Sequence, residues 1–197
     1  MPSAPSPGSA LGLALSTGLI IHRIFIAYPR RSSRPLTVFL TPDGVPFYEG
    51  DIADGDLVAR ICAEQGIGGG RGAIMHFAGS VGVPESVSDP LKYYDNNTVK
   101  SRALIEAAVA GGVDHFIFSS TAATYGTPET SPVSEDSPKQ PINPYGWSKL
   151  MTEQMLADAS AAYGFNFCAL RYFNVAGADP DARTGQSTAG ATHLIKV

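Results

Sequence analysis

Asp114-His115-Phe116-Ile117-Phe118-Ser119-Ser120-Thr121 decides how this chain folds. Aromatic and β-branched residues run between an acidic start and three hydroxyls, the pattern of a short buried strand ending in polar groups. Upstream, Pro90–Ala110 reads as one long helix starting near Leu91, and Ala73–Phe77 before it as another short buried strand. Strand, helix and strand in that order make a βαβ unit, which requires a parallel pair. Outward from this unit the alternation continues. Asp54–Gln65 reads as a helix with acidic residues in its first turn. Ser148–Tyr163 reads as a helix stopped by Gly164, and Asn166–Tyr172 as the next strand.

Composition sets the class. The chain has 197 residues, 44% hydrophobic and 16% charged, which describes a soluble globular domain. A net charge of −4 gives no electrostatic reason to expect nucleic acid or an anionic membrane surface. Cys62 and Cys168 lack metal-ligand spacing and are expected to be reduced thiols of a cytoplasmic protein. No apolar run reaches the ~20 residues that span a bilayer. Leu11–Ile21 is short and ends at His22 and Arg23, and Met1–Ala10 carries no basic side chain for a secretory signal. Before Asp43 there is no Asp or Glu, while Arg23, Arg30, Arg31 and Arg34 are present. That composition fits a transit peptide and an unrelated leader equally. Residues 1–44 are therefore expected to be an unrelated or disordered leader, and residues 45–197 the folded domain.

In open α/β sheets, ligands bind beyond the carboxyl ends of strands. Phe77-Ala78-Gly79, Ser119-Ser120-Thr121 and Tyr172-Phe173-Asn174 occupy such ends. Downstream, Tyr145 and Lys149 stand four residues apart and share a helix face. A fixed ammonium beside a phenol favours the phenolate, so Lys149 is expected to lower the pKa of Tyr145 and make it a general acid/base. Such a pair also arises by chance on solvated helices, and its weight comes from Thr121 upstream, whose hydroxyl can hold a substrate hydroxyl near the phenol. Asn96 and Asn97 sit within the long helix, where asparagine is a mediocre former, and read either as a solvent-facing pair or as amides holding a ligand. His76 is expected to be a packed core histidine, and Tyr93, Tyr94 and Tyr125 packing residues. Gly66-Ile67-Gly68-Gly69-Gly70-Arg71-Gly72 has the glycine spacing of a phosphate turn, but it follows a helix and precedes a strand, the reverse of the required order. It reads as a loop.

From about Val45 to Val197 the chain resembles the extended short-chain dehydrogenase/reductase superfamily and, within it, the UDP-glucose 4-epimerase branch. The resemblance rests on Tyr48-Glu49-Gly50-Asp51-Ile52, His76-Phe77-Ala78-Gly79, Tyr93-Tyr94-Asp95-Asn96-Asn97, Phe116 to Thr121, Pro144 to Lys149, and Leu170 to Ala178, all in order. Gly190 to Ile195 also looks like this branch. The related 4,6-dehydratases carry an Asp-Glu pair after the threonine, where this chain has Ala122-Ala123, so the resemblance favours epimerisation. It implies a Rossmann-like parallel sheet with helices on both faces, bound NAD as cofactor, and interconversion of UDP-glucose and UDP-galactose through a transient 4-keto sugar. Tyr145 would take the proton of the sugar 4-hydroxyl while a hydride passes to NAD, Lys149 would bind the nicotinamide ribose, and Thr121 would assist through its hydroxyl. Asp51 and Ile52 would flank the adenine. Phe77, Ala78, Gly79, Ser80 and Val81 would line the cofactor cleft, Asn96 and Phe173 would also meet the cofactor, and Asn174 the nucleotide-sugar. Relatives pair as homodimers through helices that here span roughly Leu91–Ala110 and Ser148–Tyr163.

Three departures stand out. Residues 1–44 hold no strand, glycine-rich phosphate turn and helix of the family kind, and many relatives have a lysine where Val81 stands. The family also continues well past the equivalent of Val197, into a domain that grips the nucleotide-sugar. The chain is expected to be a truncated gene product with a frameshifted start, incomplete at the N-terminus and lacking most of the substrate domain.

Overall fold

A computed structural model describes residues 18–21, 24–27 and 46–175. Among the described residues six strands form one sheet in the order β3-β2-β1-β4-β5-β6. They are β1 (Gly18–Ile21), β2 (Ile24–Ala27), β3 (Phe47–Glu49), β4 (Ile74–His76), β5 (His115–Ser119) and β6 (Asn166–Leu170). β2 and β3 are parallel, as are β4, β5 and β6, while β1 runs antiparallel to both β2 and β4. Every strand except β1 therefore points the same way.

The exception has a covalent cause. Only His22 and Arg23 separate β1 from β2. Two residues can join antiparallel strands, but a parallel pair needs a crossover of a dozen or more. The expected leader of residues 1–44 is corrected at this point, because 18–21 and 24–27 belong to the sheet. Composition alone had set the boundary at residue 44, and it does not report which short apolar runs find a partner strand.

The helices follow their local signals. α1 (Gly55–Gln65) begins where the Asp54 carboxylate accepts a hydrogen bond from the Leu57 N–H at 3.0 Å, and it ends at left-handed Gly66. The long helix expected over Pro90–Ala110 is present in three joined pieces. These are α3 (Pro90–Tyr93), a π turn at Tyr94–Val99, and α4 (Lys100–Ala110). α2 (Val83–Ser88) precedes it, a short helix absent from the sequence reading. α5 spans Pro144–Tyr163 and stops at left-handed Gly164.

Ile74, Phe116 and Phe118 face one side of the sheet and meet Val58 and Ile61 of α1, Leu104 and Ile105 of α4, and Leu156 of α5. Phe116 and Phe118 are buried and Ile117 between them is only half-buried, the period-two alternation of a strand. α1, α4 and α5 thus cover one face, and the expectation of helices on the second face concerns stretches outside the described residues.

One glycine sets the approach to α5. Gly126 closes a 3₁₀ turn (Ala122–Tyr125) with φ 64°, and a Cβ there would lie 1.9 Å from the Gln140 carbonyl oxygen. The loop it starts delivers Asn143, the cap of α5. Gly126→Ala is expected to cost about 2–3 kcal/mol, read as a lower urea midpoint at unchanged slope. An unchanged midpoint would contradict this placement of the loop.

Candidate functional site

The site begins with the start of α5. Asn143 Oδ1 accepts from the Gly146 N–H at 2.8 Å, and Pro144 occupies the first helical position. The sequence reading started this helix at Ser148. The earlier start puts Tyr145 in the first turn, Lys149 one turn on and Glu153 a turn beyond, all on one stripe.

The end of β5 lies along that stripe. Lys149 Nζ donates to the Ser119 carbonyl at 2.9 Å. The Ser120 hydroxyl donates to Glu153 Oε1. The Thr121 hydroxyl lies beside Tyr145 and pulls the phenol's pKa down. The end of β6 joins in, with Tyr172 OH hydrogen-bonded to Ser119 Oγ at 2.6 Å and its carbonyl accepting from the Ala122 N–H at 3.2 Å.

The end of β4 is held by the π turn. Asn97 Oδ1 accepts from the Ser80 N–H at 2.7 Å, and its Nδ2 donates to the Ser80 carbonyl and to Ser148 Oγ, both at 3.0 Å. Asn96 Nδ2 donates to Ser80 Oγ at 3.0 Å. The Asn97 carbonyl accepts from Ser101 Oγ at 2.6 Å and from Thr152 Oγ at 3.1 Å. A π turn leaves helical carbonyls available for such partners, and these turns recur at functional sites. Asn97 is therefore a buried fastener rather than a solvent-facing amide. The three strand ends expected to converge do so around Gly79, Ser119 and Tyr172.

Burial sets the electrostatics. Lys149 is 3% exposed, its ammonium 4.9 Å from the centre of the Phe118 ring, and burial brings its pKa down to about 8. Its bond to Ser119 uses one of three ammonium donors. His76 is fully buried against Phe116 and Phe118, and burial first, then the Lys149 charge, brings its pKa down to about 3. Its Nε2 lies 2.8 Å from Ser101 Oγ, while Nδ1 is buried with no hydrogen-bond partner among the described residues. It is a core histidine, as its strand suggested.

The expected lowering of the Tyr145 pKa does not occur. Burial raises it, the Thr121 hydroxyl pulls it down, and Tyr172 adds to the rise. Shared helix face did not decide the matter, because the Lys149 ammonium reaches back to the Ser119 carbonyl. The Tyr93 ring meets Tyr145 edge-on at 6.4 Å, and its own hydroxyl donates to Glu85 at 2.8 Å.

The remaining sequence-predicted residues are dispersed. Asp51 pairs with Lys100 at 2.6 Å and accepts from the Ala53 N–H at 3.0 Å. Ile52 packs in the core and Phe77 is buried, while Ala78 and Ser80 are half-buried beside Gly79. Val81, Phe173 and Asn174 are exposed, outside the group around Tyr145. The glycine loop 66–72 is structural: Gly69 N–H donates to the Gly112 carbonyl at 3.1 Å and Gly70 N–H to the Asp114 carboxylate. A groove of about 570 Å³ between α1 and α4 is lined by Ala59, Cys62, Ala103 and Ala107 and holds none of the strand-end groups. Among the described residues no cluster of His, Cys, Asp and Glu could hold a metal, and no helix is long and apolar enough to cross a membrane. Sequence reading gave no role to Ser148, Glu153 or Arg171. Glu153 was findable as the next step of the Tyr145–Lys149 stripe.

Comparison with known proteins agrees with this geometry. The model of the NAD dependent epimerase/dehydratase family matches residues 13–196, reaching back beyond Val45 into the strands β1 and β2. The UDP-glucose 4-epimerase of Azospirillum brasilense is 58% identical over 156 residues, covering 79% of this chain. The chain spans 44% of that relative's length. The crystal structure of UDP-glucose 4-epimerase from Brucella ovis in complex with NAD superposes with a TM-score of 0.75 at 40% identity, over 86% of this chain and 50% of that one. The Bifidobacterium longum UDP-glucose 4-epimerase, in complex with NAD+ and UDP, gives 0.71 at 36% identity, over 82% and 49%. A match along nearly the whole chain, with the strand ends and the α5 stripe in place, makes this chain a member of the NAD dependent epimerase/dehydratase family.

Proposed function

We propose that this chain is an NAD-dependent nucleotide-sugar 4-epimerase that interconverts UDP-glucose and UDP-galactose. The observation that carries the reading is the register of α5 on the end of β5, which bonds Lys149 to the Ser119 carbonyl and leaves Tyr145 beside Thr121. The named activities of the Azospirillum, Brucella and Bifidobacterium relatives support it.

The residues present fit the nicotinamide half of the cofactor. At Gly79 a Cβ would lie 3.0 Å from Asn97 Oδ1 and 3.4 Å from Lys149 Nζ, so the glycine keeps a slot open beside a buried ammonium with donors to spare. Bound there, NAD would supply a reversible hydride acceptor. Lys149 would hold its ribose, Gly79, Ser80 and Asn96 would border its phosphates, Phe77, Ala78, Val81 and Phe173 would line the cleft, and Asp51 with Ile52 would meet the adenine. Tyr145 would take and return the proton of the sugar 4-hydroxyl, with Thr121 orienting the phenol. Asn174 would contact the nucleotide-sugar. Ala122 and Ala123 follow Thr121 where elimination of water would need an acid and a base, which favours epimerisation over dehydration.

Titration of the purified chain with NAD by calorimetry tests this. Saturable binding at or below about 1 mM is expected, and no heat of binding at that concentration would refute the reading. A second reading, a remnant that no longer turns over, is favoured by the two-residue link between β1 and β2, which leaves no room for a phosphate turn and helix there. We also propose a cytoplasmic homodimer. Exposed Leu91 on α3 and Trp147 and Met151 on α5 offer apolar surface for a second copy. Light scattering should return twice the chain mass.

A further inference from the structure

Glu153 takes no part in the proposed chemistry, yet it is the most elaborately held side chain on α5. Its side chain is 7% exposed. Oε1 accepts from the Ser120 hydroxyl and from Arg171 Nε at 3.0 Å, while Oε2 accepts from Arg171 Nε at 3.0 Å and Nη2 at 2.6 Å. Arg171 Nη1 goes on to donate to Tyr125 OH at 2.7 Å. One carboxylate thus joins α5, the end of β5, the residue before Tyr172 and the 3₁₀ turn after Thr121.

Stability does not explain this arrangement. A buried ion pair replaced by apolar residues of similar size is often neutral or better. A bidentate guanidinium–carboxylate pair instead fixes direction and distance. Direction is what the site needs. The contacts of Leu156 and Phe118 are apolar and tolerate sliding, whereas one residue of slip on a helix means about 1.5 Å of translation and 100° of rotation. That slip would take Lys149 off Ser119 and Tyr145 off Thr121.

We propose that Glu153, clamped by Arg171 and Ser120, is a positioning residue that sets the register of α5 against Ser119–Thr121 and so keeps Lys149 on Ser119 and Tyr145 on Thr121. The inference rests on the reading of Tyr145 and Lys149 as the proton-handling pair, but its test needs neither cofactor nor turnover. Lys149 reports the register, because its lowered pKa of about 8 exists only while the ammonium is buried.

The experiment is a 13C NMR titration of the lysine ε-carbons in the full chain, with Lys149→Met identifying the resonance. The double variant Glu153→Leu/Arg171→Leu removes the clamp without leaving a lone buried charge. It should remain folded and raise the Lys149 midpoint by ~1 pH unit or more toward the ordinary lysine value. Glu153→Gln keeps an oxygen for Ser120 and Arg171 and should restore a midpoint close to that of the parent chain. A folded double variant with an unshifted midpoint would overturn the proposal, since a merely structural pair lowers stability and leaves Lys149 where it is. If the double variant does not fold, Ser120→Ala decides. An upward shift of about half a unit supports the proposal, and no shift refutes it. NAD titration of the parent chain is the separate arm: failure there refutes the epimerase reading while the lysine titration still judges the register.

Discussion

On the proposed epimerase reading, replacing Tyr145 by Phe is expected to lower the interconversion of UDP-glucose and UDP-galactose by ~10²–10⁴-fold, the usual contribution of a positioned general acid/base. The substitution removes one hydroxyl. The ring keeps its edge-on contact with Tyr93, and α5 keeps its cap at Asn143 and its bond from Lys149 to Ser119. Stability should fall by only about 1 kcal/mol, because one buried hydroxyl is removed while Thr121 retains its bond from the Ala123 N–H at 3.1 Å. NAD affinity should change little, since Lys149 rather than Tyr145 is assigned to the ribose. Turnover within a factor of about ten of the parent would assign the proton to another group.

The second large effect is on stability in acid. His76 has a pKa of about 3 in the fold against 6.5 for an ordinary histidine. Between those values the unfolded chain binds a proton that the folded chain refuses. The stability associated with His76 is complete above pH 6.5 and is lost progressively as pH falls from 6.5 toward 3. Its full size is up to about 5 kcal/mol. The cause is structural: the ring is enclosed by Phe116 and Phe118, faces the Lys149 charge, and leaves Nδ1 with no hydrogen-bond partner among the described residues. His76→Asn should be less stable than the parent at pH 7 but lose much less on going to pH 4. Urea midpoints of both proteins at both pH values measure this, and equal losses would show that His76 accepts a proton in the folded state.

Much of the fold was legible because short-range signals and tertiary packing agree. The alternation of Phe116, Ile117 and Phe118 reads as a strand and packs as one, and Asp54 caps α1 as acidic residues before an apolar run should. The extent of the helix over Pro90–Ala110 was also readable. Its π turn was not, because the asparagines at 96 and 97 fit a solvent-facing pair until Ser80 and Ser148 are seen against them. The start of α5 was misplaced although Asn143-Pro144 carries the cap-and-proline signature of a first turn.

The site was half legible. Spacing placed Tyr145 and Lys149 on one face, but it cannot say where a long side chain points. Lys149 turns to the Ser119 carbonyl, so burial rather than its charge sets the direction of the Tyr145 shift. The partnership of Glu153 with Arg171 joins residues 18 positions apart through tertiary structure, and no local pattern announces it. β1 was hidden for a related reason, since a short apolar run in an acid-free stretch looks the same with or without a neighbour strand.

The central claim is that Thr121, Tyr145 and Lys149 form the proton-handling half of an NAD-dependent 4-epimerase site. Proton NMR of the anomeric sugar signals, with purified chain and added NAD, tests it most directly. Started from UDP-glucose or from UDP-galactose, the chain should reach the same mixture of both sugars, and Tyr145→Phe should not. Saturable NAD binding with no interconversion from either side would contradict the claim.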